Sequence, residues 1–136
     1  MKLLIENWRG YLAEEISSSK EVSQIGKWEI TINTLTIDGG KIVIWENSPW
    51  AQDAHSIQEF KVDEAKQGQG IGSQLVDAAI KEYSGEEISA QVSSLASLKV
   101  FYNKGFRSWK APDATFEEEV GLFNNELGSL NVRLTP

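Results

Sequence analysis

Lys66-Gln67-Gly68-Gln69-Gly70-Ile71-Gly72-Ser73 joins a run that reads as a strand, Ser56 to Val62, to a run that reads as a helix, Gly70 to Tyr83. Three glycines at alternate positions, just where a helix starts, remove the side chains that would hold a ligand off the backbone. What is left is a row of N–H groups at the positive end of a helix dipole, which is an anion site. The stretch predicts a strand–loop–helix unit that holds a phosphate-bearing ligand. A glycine-rich turn that binds nothing has the same local appearance, so the surrounding chain has to decide.

Two phosphate motifs fit poorly. A Walker loop requires Gly-Lys-Ser/Thr, and Ser73-Gln74-Leu75 follows Gly72 with no lysine. A dinucleotide fingerprint, G-x-G-x-x-G, finds its first two places in Gly68 and Gly70, but its third falls on Ser73, and the stretch lies mid-chain rather than in a first βα unit. The pattern Q/R-x-x-G-x-G/A does fit: Gln67, Gly70 and Gly72 fill its defined places and Gly68 a spacer. In this the run from Val62 to Leu75 resembles the acyl-coenzyme A signature of the GNAT N-acetyltransferase superfamily. A second element, Val100-Phe101-Tyr102-Asn103-Lys104-Gly105-Phe106, resembles that superfamily's F-Y-x-K-x-G-F motif, shortened by one residue between lysine and glycine.

Composition is compatible with this. The chain has 136 residues, 40% hydrophobic and 24% charged, and reads as one domain over residues 1–136. It has no cysteine, which excludes disulfides, thiolate chemistry and cysteine-based zinc sites, and a metal-free cytoplasmic protein is the expectation. No apolar run approaches a membrane span. Net charge is −7 and the isoelectric point about 4.7. Lys61, Lys66, Lys81, Lys99, Lys104, Arg107 and Lys110 gather around the glycine motif, enough for a cofactor's phosphates but thin for nucleic acid. The acidic remainder suits a cationic acceptor such as an amine.

Periodicity supplies the rest. Leu4, Trp8, Leu12 and Ile16 predict an amphipathic helix over residues 3–16, ended by Ser17–Ser19, with at most a short strand near Glu21–Ile25. Trp28 to Ile37 is a strand whose apolar phase slips at Asn33-Thr34, predicting a bulge there. Asp38-Gly39-Gly40 is a turn, and Lys41 to Glu46 returns as a strand covered on both faces. Ile71, Leu75, Val76, Ala79, Ile80 and Tyr83 form the stripe of the helix after the glycines, closed by Ser84-Gly85. Ile88, Ala90 and Val92 alternate as a strand. Leu95 to Asn103 is a helix with Leu95, Leu98, Phe101 and Tyr102 near one face, and Phe106 to Lys110 is a strand. In the tail, Val120–Phe123 and Leu130–Leu134 read as a hairpin and Glu117–Glu119 as a solvated acidic run. The order predicts an α+β fold: a mostly antiparallel mixed sheet with a β-α-β-α-β core and helices on both faces, which agrees with the GNAT core.

The resemblance carries chemistry with it. It implies acetyl-coenzyme A as acetyl donor and direct attack by a primary amine, on a small molecule or a peptide, with no covalent enzyme intermediate. It implies coenzyme contacts from Phe60, Lys61, Val62, Gln67, Gly68, Gln69, Gly70, Ile71, Gly72 and Ser73, with Lys99 and Lys104 reaching phosphates. A backbone N–H between Phe60 and Val62 is expected to hold the oxyanion, where two strands splay. Tyr102 is the expected acid for the departing thiolate, since a neutral phenol can give its proton to a more acidic thiol's anion. Leu95 stands seven residues before it, where the superfamily commonly has a coenzyme-binding asparagine, so that contact is missing or is replaced by Ser94 or Ser97. The base that strips the ammonium proton is Glu59 by first choice, with His55, the one histidine, or water as alternatives. No metal, membrane or nucleic-acid partner is expected, and a homodimer through a sheet edge stays open. Two rivals remain: a GNAT-shaped protein that binds coenzyme A or a partner without catalysis, and a plain nucleotide-binding αβ domain.

Overall fold

The computed structural model describes residues 16–136, and the helix expected over 3–16 lies, but for Ile16, outside them. Seven strands form one sheet: β1 (Ser17–Ile25), β2 (Trp28–Ile37), β3 (Gly40–Trp45), β4 (His55–Val62), β5 (Ile88–Val92), β6 (Arg107–Ser108) and β7 (Leu130–Leu134). Their spatial order is β1-β2-β3-β4-β5-β7-β6. The first four are antiparallel neighbours, β4 and β5 run parallel, and β7 inserts antiparallel between β5 and β6. Three helices complete the described chain: α1 (Ile71–Glu82) between β4 and β5, α2 (Leu95–Asn103) between β5 and β6, and α3 (Phe116–Asn125) between β6 and β7.

The core sits where α1 and α2 meet β3, β4 and β5. Ile42, Ile44, Leu75, Val76, Leu98, Phe101 and Phe106 are all fully buried there. The α1 stripe is as its spacing predicts, with Ile71, Leu75, Val76, Ala79 and Tyr83 buried and Ile80 partly so. The N-terminus of α1 presses on the start of β3. A Cβ on Gly40 would stand 2.9 Å from Ile71, 3.0 Å from Leu75 and 3.0 Å from the Lys61 carbonyl.

Six expectations change. Ser17–Ser19 open a nine-residue strand paired along its length with β2, rather than ending a helix. The bulge lies in β4, not β2. Val43 pairs with Glu59 and Ile44 with Ile57, so Gln58 is the extra residue. Beyond it the phase reverses, which turns Phe60 and Val62 toward the core and leaves Glu59 and Lys61 exposed. In β2 the register is unbroken, because the inward position is filled by a fully buried polar residue, Asn33. On β3 only Ile42 and Ile44 are buried, while Lys41, Val43 and Trp45 are half-exposed.

The tail differs most. Val120–Phe123 belongs to α3, whose start carries a reciprocal capping box between Thr115 and Glu118. Glu119 is fully buried rather than solvated, and the Ser108 N–H donates to its Oε1 at 2.7 Å. Burial pushes its carboxyl above the usual range, and that N–H and Arg107 only partly offset the effect. The strand expected over Phe106–Lys110 shrinks to the two residues of β6.

Asn33 anchors a polar network between the sheet and the C-terminal end of α1. Its amide donates to the Tyr83 hydroxyl (3.0 Å), which donates to Glu46 (2.6 Å), and Lys20 pairs with the same carboxylate oxygen (2.9 Å). Burial pushes the Glu46 carboxyl up, but hydrogen bonds from Tyr83 and Lys20 outweigh it and leave the group below its ordinary value. The stability this gives is present above the unfolded carboxylate pKa and is lost as pH falls through the folded one. Glu46→Gln is therefore expected to cost about 1–2 kcal/mol at pH 7 in urea unfolding. Its gap from the parent should narrow below about pH 4.5, and an equal gap at both pH values would remove this account.

Candidate functional site

The glycine loop ends at Gly70, the N-cap of α1, which takes a left-handed conformation (φ +78°), as does Gly68 (φ +83°). Among the described residues a Cβ at either position would meet nothing within 4 Å, so their packing does not explain the glycines. No side chain caps the helix, and its first N-terminal backbone bond is from the Gln74 N–H to the Gly70 carbonyl. The N–H groups of Ile71, Gly72 and Ser73 point forward at the positive end of the dipole. They open on a cleft of about 530 Å³ whose far wall is the start of α2, at Ser94, Ala96, Ser97 and Val100. Gly72 permits close packing instead: a Cβ there would stand 3.0 Å from Phe60.

From this cleft a narrower one leads through the sheet. The parallel pairing of β4 and β5 consists of His55–Ile88, Ser56–Ser89 and Ile57–Ala90 and stops there. The bulge at Gln58 bends β4 away, and past it the β5-facing edge of Gln58–Val62 has no strand partner among the described residues. The resulting gap, about 210 Å³, is walled by Gln58, Glu59 and Phe60 on one side and Gln91, Val92 and Ser93 on the other, with Ser97 and Phe101 of α2 across it. Phe60 and Ser97 border both clefts. On its other side the gap shares Gln58, Gln91 and Ser93 with a basin of about 560 Å³. Trp50 and Trp109 flank that basin.

The expected residues divide. Phe60, Lys61, Val62, Gln67, Gly68, Gly70, Ile71, Gly72 and Ser73 all line the glycine cleft, whereas Gln69 is exposed and does not. Lys61 is the one charged side chain in its described walls. Lys99 lines none of the three cavities, and Lys104 is held by Asp77 of α1 at 2.9 Å. Glu59 borders the gap and pairs with Lys41 at 3.4 Å. His55 is buried away from all three cavities and stacked on Tyr83 at 4.2 Å. Its Nδ1 accepts from the Asn47 N–H and its Nε2 meets Glu86 at 3.1 Å. Tyr102 also lines none of them. Its hydroxyl points at the Ala114 carbonyl (3.4 Å), and its ring lies under the Arg107 guanidinium (3.7 Å) and against Phe116.

A family model described as an acetyltransferase (GNAT) domain matches residues 31–108, more than half of the chain. The chain belongs to the GNAT acetyltransferase family. Two solved structures have a similar fold. PH1933 of Pyrococcus horikoshii OT3 is 17% identical with a TM-score of 0.52, over 96% of this chain and 73% of that one. A protein of Bacillus anthracis str. Ames, provisionally described as a streptothricin acetyltransferase and solved with acetyl coenzyme A, is 18% identical with a TM-score of 0.51, over 88% of this chain and 83% of that one. No curated protein sequence matches the chain.

GNAT acetyltransferases use acetyl-coenzyme A as donor, and the site fits it. Uncapped N–H groups and open glycines suit a diphosphate, and a narrow gap between splayed strands suits an extended arm. The residues seven apart that border the clefts are Ser94 and Phe101, not Leu95 and Tyr102. Ser94 is the N-cap of α2, its Oγ accepting from the Ser97 N–H at 3.1 Å, while Leu95 is exposed. The residue missing before Gly105 explains the shift. Counted back from Gly105 the helix register moves by one, which brings a phenylalanine to the gap and turns the tyrosine toward α3. Ser94 and Ser97, the two serines expected in place of the asparagine, both line the glycine cleft, and counting from that glycine gives Phe101 beside Ser94. Gln58, Trp50 and Trp109 gave no such signal.

Proposed function

We propose that this protein is an N-acetyltransferase that moves the acetyl group of acetyl-coenzyme A to a primary amine by direct attack, as a single domain over residues 1–136. The observation that carries this is the end of β4–β5 pairing at Ile57–Ala90, which joins the glycine cleft to a basin on the other side. Bound acetyl-coenzyme A supplies a thioester carbonyl open to a nucleophile. In this reading Gln67–Ser73 hold its phosphates through backbone N–H groups, and Lys61 adds charge. Phe60 and Phe101 keep water from the gap, and the unpaired edge of β4 past Gln58 offers an N–H to the developing oxyanion. Glu59, through water, takes the ammonium proton; it is the expected base that borders the gap. A cysteine-free chain suits a cytoplasmic setting.

The departing sulfur takes its proton from water in this scheme, because Phe101 stands at the gap. Tyr102→Phe is accordingly expected to leave turnover within about twofold, where loss of a true general acid costs about 10²-fold or more. Thiol release with a saturating amine measures this, and a hundredfold drop would return the phenol to the chemistry. One feature favours a second reading, coenzyme A binding without turnover: among the described residues the basin wall has no carboxylate or imidazole. Isothermal titration with acetyl-coenzyme A, run beside thiol release on a panel of amines, decides between them. Binding with turnover on at least one acceptor supports the enzyme; binding with none supports the second reading.

A further inference from the structure

The basin beyond the gap has a chemistry of its own. Two exposed indoles line it, Trp50 (59% exposed) and Trp109 (56%). Both are braced. Trp45 meets Trp50 edge-on at 5.8 Å, and the Arg133 guanidinium lies 3.9 Å from the Trp109 ring centre. Arg133 is held in turn by Glu87 at 2.8 Å. The rest of the lining includes neutral hydroxyls and amides, among them Ser56, Gln58, Ser89, Gln91 and Asn131. Among the described residues Arg133 is the one charged group in the wall, and its charge is already matched.

From this we infer that the acceptor is an amino sugar: a pyranose carrying one primary amine, free or as a glycoside. The inference rests on the acetyl-transfer reading and narrows its substrate. A polyamine or a lysine-rich peptide brings extra positive charge, which a wall without carboxylates does not compensate. An amino acid brings a carboxylate, and Arg133 is committed to Glu87. A pyranose has an apolar C–H face that suits an indole and a rim of hydroxyls that each donate and accept, as do the Ser, Gln and Asn side chains of the lining. The volume is in the range of small-molecule sites. With its amine at Gln58 and Gln91, the ring lies between the two indoles. The nitrogen then attacks the thioester carbonyl to form an adduct, and its collapse leaves the amide C–N bond and breaks the C–S bond. One ammonium proton goes to the base and then water, the second leaves with the collapse of the adduct, and the sulfur departs and takes up a proton from water as free thiol.

The full chain and acetyl-coenzyme A are assayed by thiol release, with products identified by mass. The acceptors are glucosamine, galactosamine, a methyl glucosaminide, cyclohexylamine, spermidine, a lysine peptide and glycine. Amino sugars should exceed cyclohexylamine, a ring without hydroxyls, by at least about tenfold in kcat/KM. Trp109→Ala and Trp50→Ala should each raise the glucosamine KM by roughly tenfold while kcat and acetyl-coenzyme A affinity hold. Trp28→Ala, at an exposed indole outside the basin, should change neither. Quenching of tryptophan fluorescence by N-acetylglucosamine, reduced in Trp109→Ala and in Trp50→Ala but not in Trp28→Ala, gives a readout independent of turnover. Faster turnover of spermidine, peptide, glycine or cyclohexylamine overturns the acceptor class and leaves acetyl transfer standing. Absence of turnover on every acceptor, with acetyl-coenzyme A bound, overturns both.

Discussion

Gly70→Glu is expected to abolish acetyl-coenzyme A binding, with at least about a hundredfold loss of affinity in isothermal titration, equivalent to roughly 3 kcal/mol. The reason is position. Gly70 caps α1, and a Cβ there projects into open space at the mouth of the glycine cleft. A glutamate puts a carboxylate where the N–H groups of the first turn should meet a diphosphate, and the two anions repel in the helix's positive field. The fold should survive. The left-handed φ costs an ordinary residue about 1–2 kcal/mol, and no neighbour has to move. Gly70→Asn separates the contributions: asparagine tolerates that conformation and carries no charge, so it should lose far less affinity than glutamate. Wild-type affinity in a folded Gly70→Glu protein would remove the glycine cleft as the cofactor site, and the mechanism with it.

Gly40→Val is expected to lower stability by about 3 kcal/mol, at the upper end for overpacking, read as a fall in the urea midpoint at unchanged slope. A Cβ at this position meets Ile71, Leu75 and the Lys61 carbonyl at 3.0 Å or less. The two side chains can shift a little, but the carbonyl belongs to β4 and is fixed by the β3–β4 ladder. Relief must come from distorting the β3–β4 ladder at Lys61 and pushing α1 off the sheet at Ile71, one residue past Gly70, so acetyl-coenzyme A affinity should fall together with stability. Gly121→Ala in α3 makes the contrast. Its Cβ has free space on a helical backbone, so it should gain about 0.5–1 kcal/mol. A Gly40→Val protein as stable as the parent would show that the helix–sheet approach is looser than its contacts indicate.

The amino-acid order announced the glycine loop because its signal is local. Three glycines at a strand-to-helix junction specify a backbone whatever surrounds them, and nine of the ten residues expected at the cleft from Phe60 to Ser73 line it. The stripe of α1 was equally plain, since six apolar positions at helical spacing have one way to be buried. The bulge was harder. A slip in alternation occurs in both β2 and β4, and only burial separates a polar residue placed inward, Asn33, from a residue inserted, Gln58. The tail was misread because an apolar cluster can serve a hairpin or a helix. The Thr115–Glu118 capping box was the local cue, and burial of Glu119 followed from the helix it starts.

Residues alone determined that this chain offers bared backbone N–H groups at a helix start and contains no cysteine for thiolate chemistry. Those properties depend on neighbours within a few positions. Tertiary structure decided which aromatic ring reaches the gap, which lysines are held by carboxylates and what surrounds the basin beyond it. Each of these turns on distant segments meeting in space: Lys104 on Asp77, Trp109 under Arg133, Phe101 against Phe60. One residue fewer before Gly105 rotates α2 by about 100° relative to its end. Spacing counted from Tyr102 gives one face of α2 and spacing counted from Gly105 another, and the packing of α2 against β4 and α1 chooses between them.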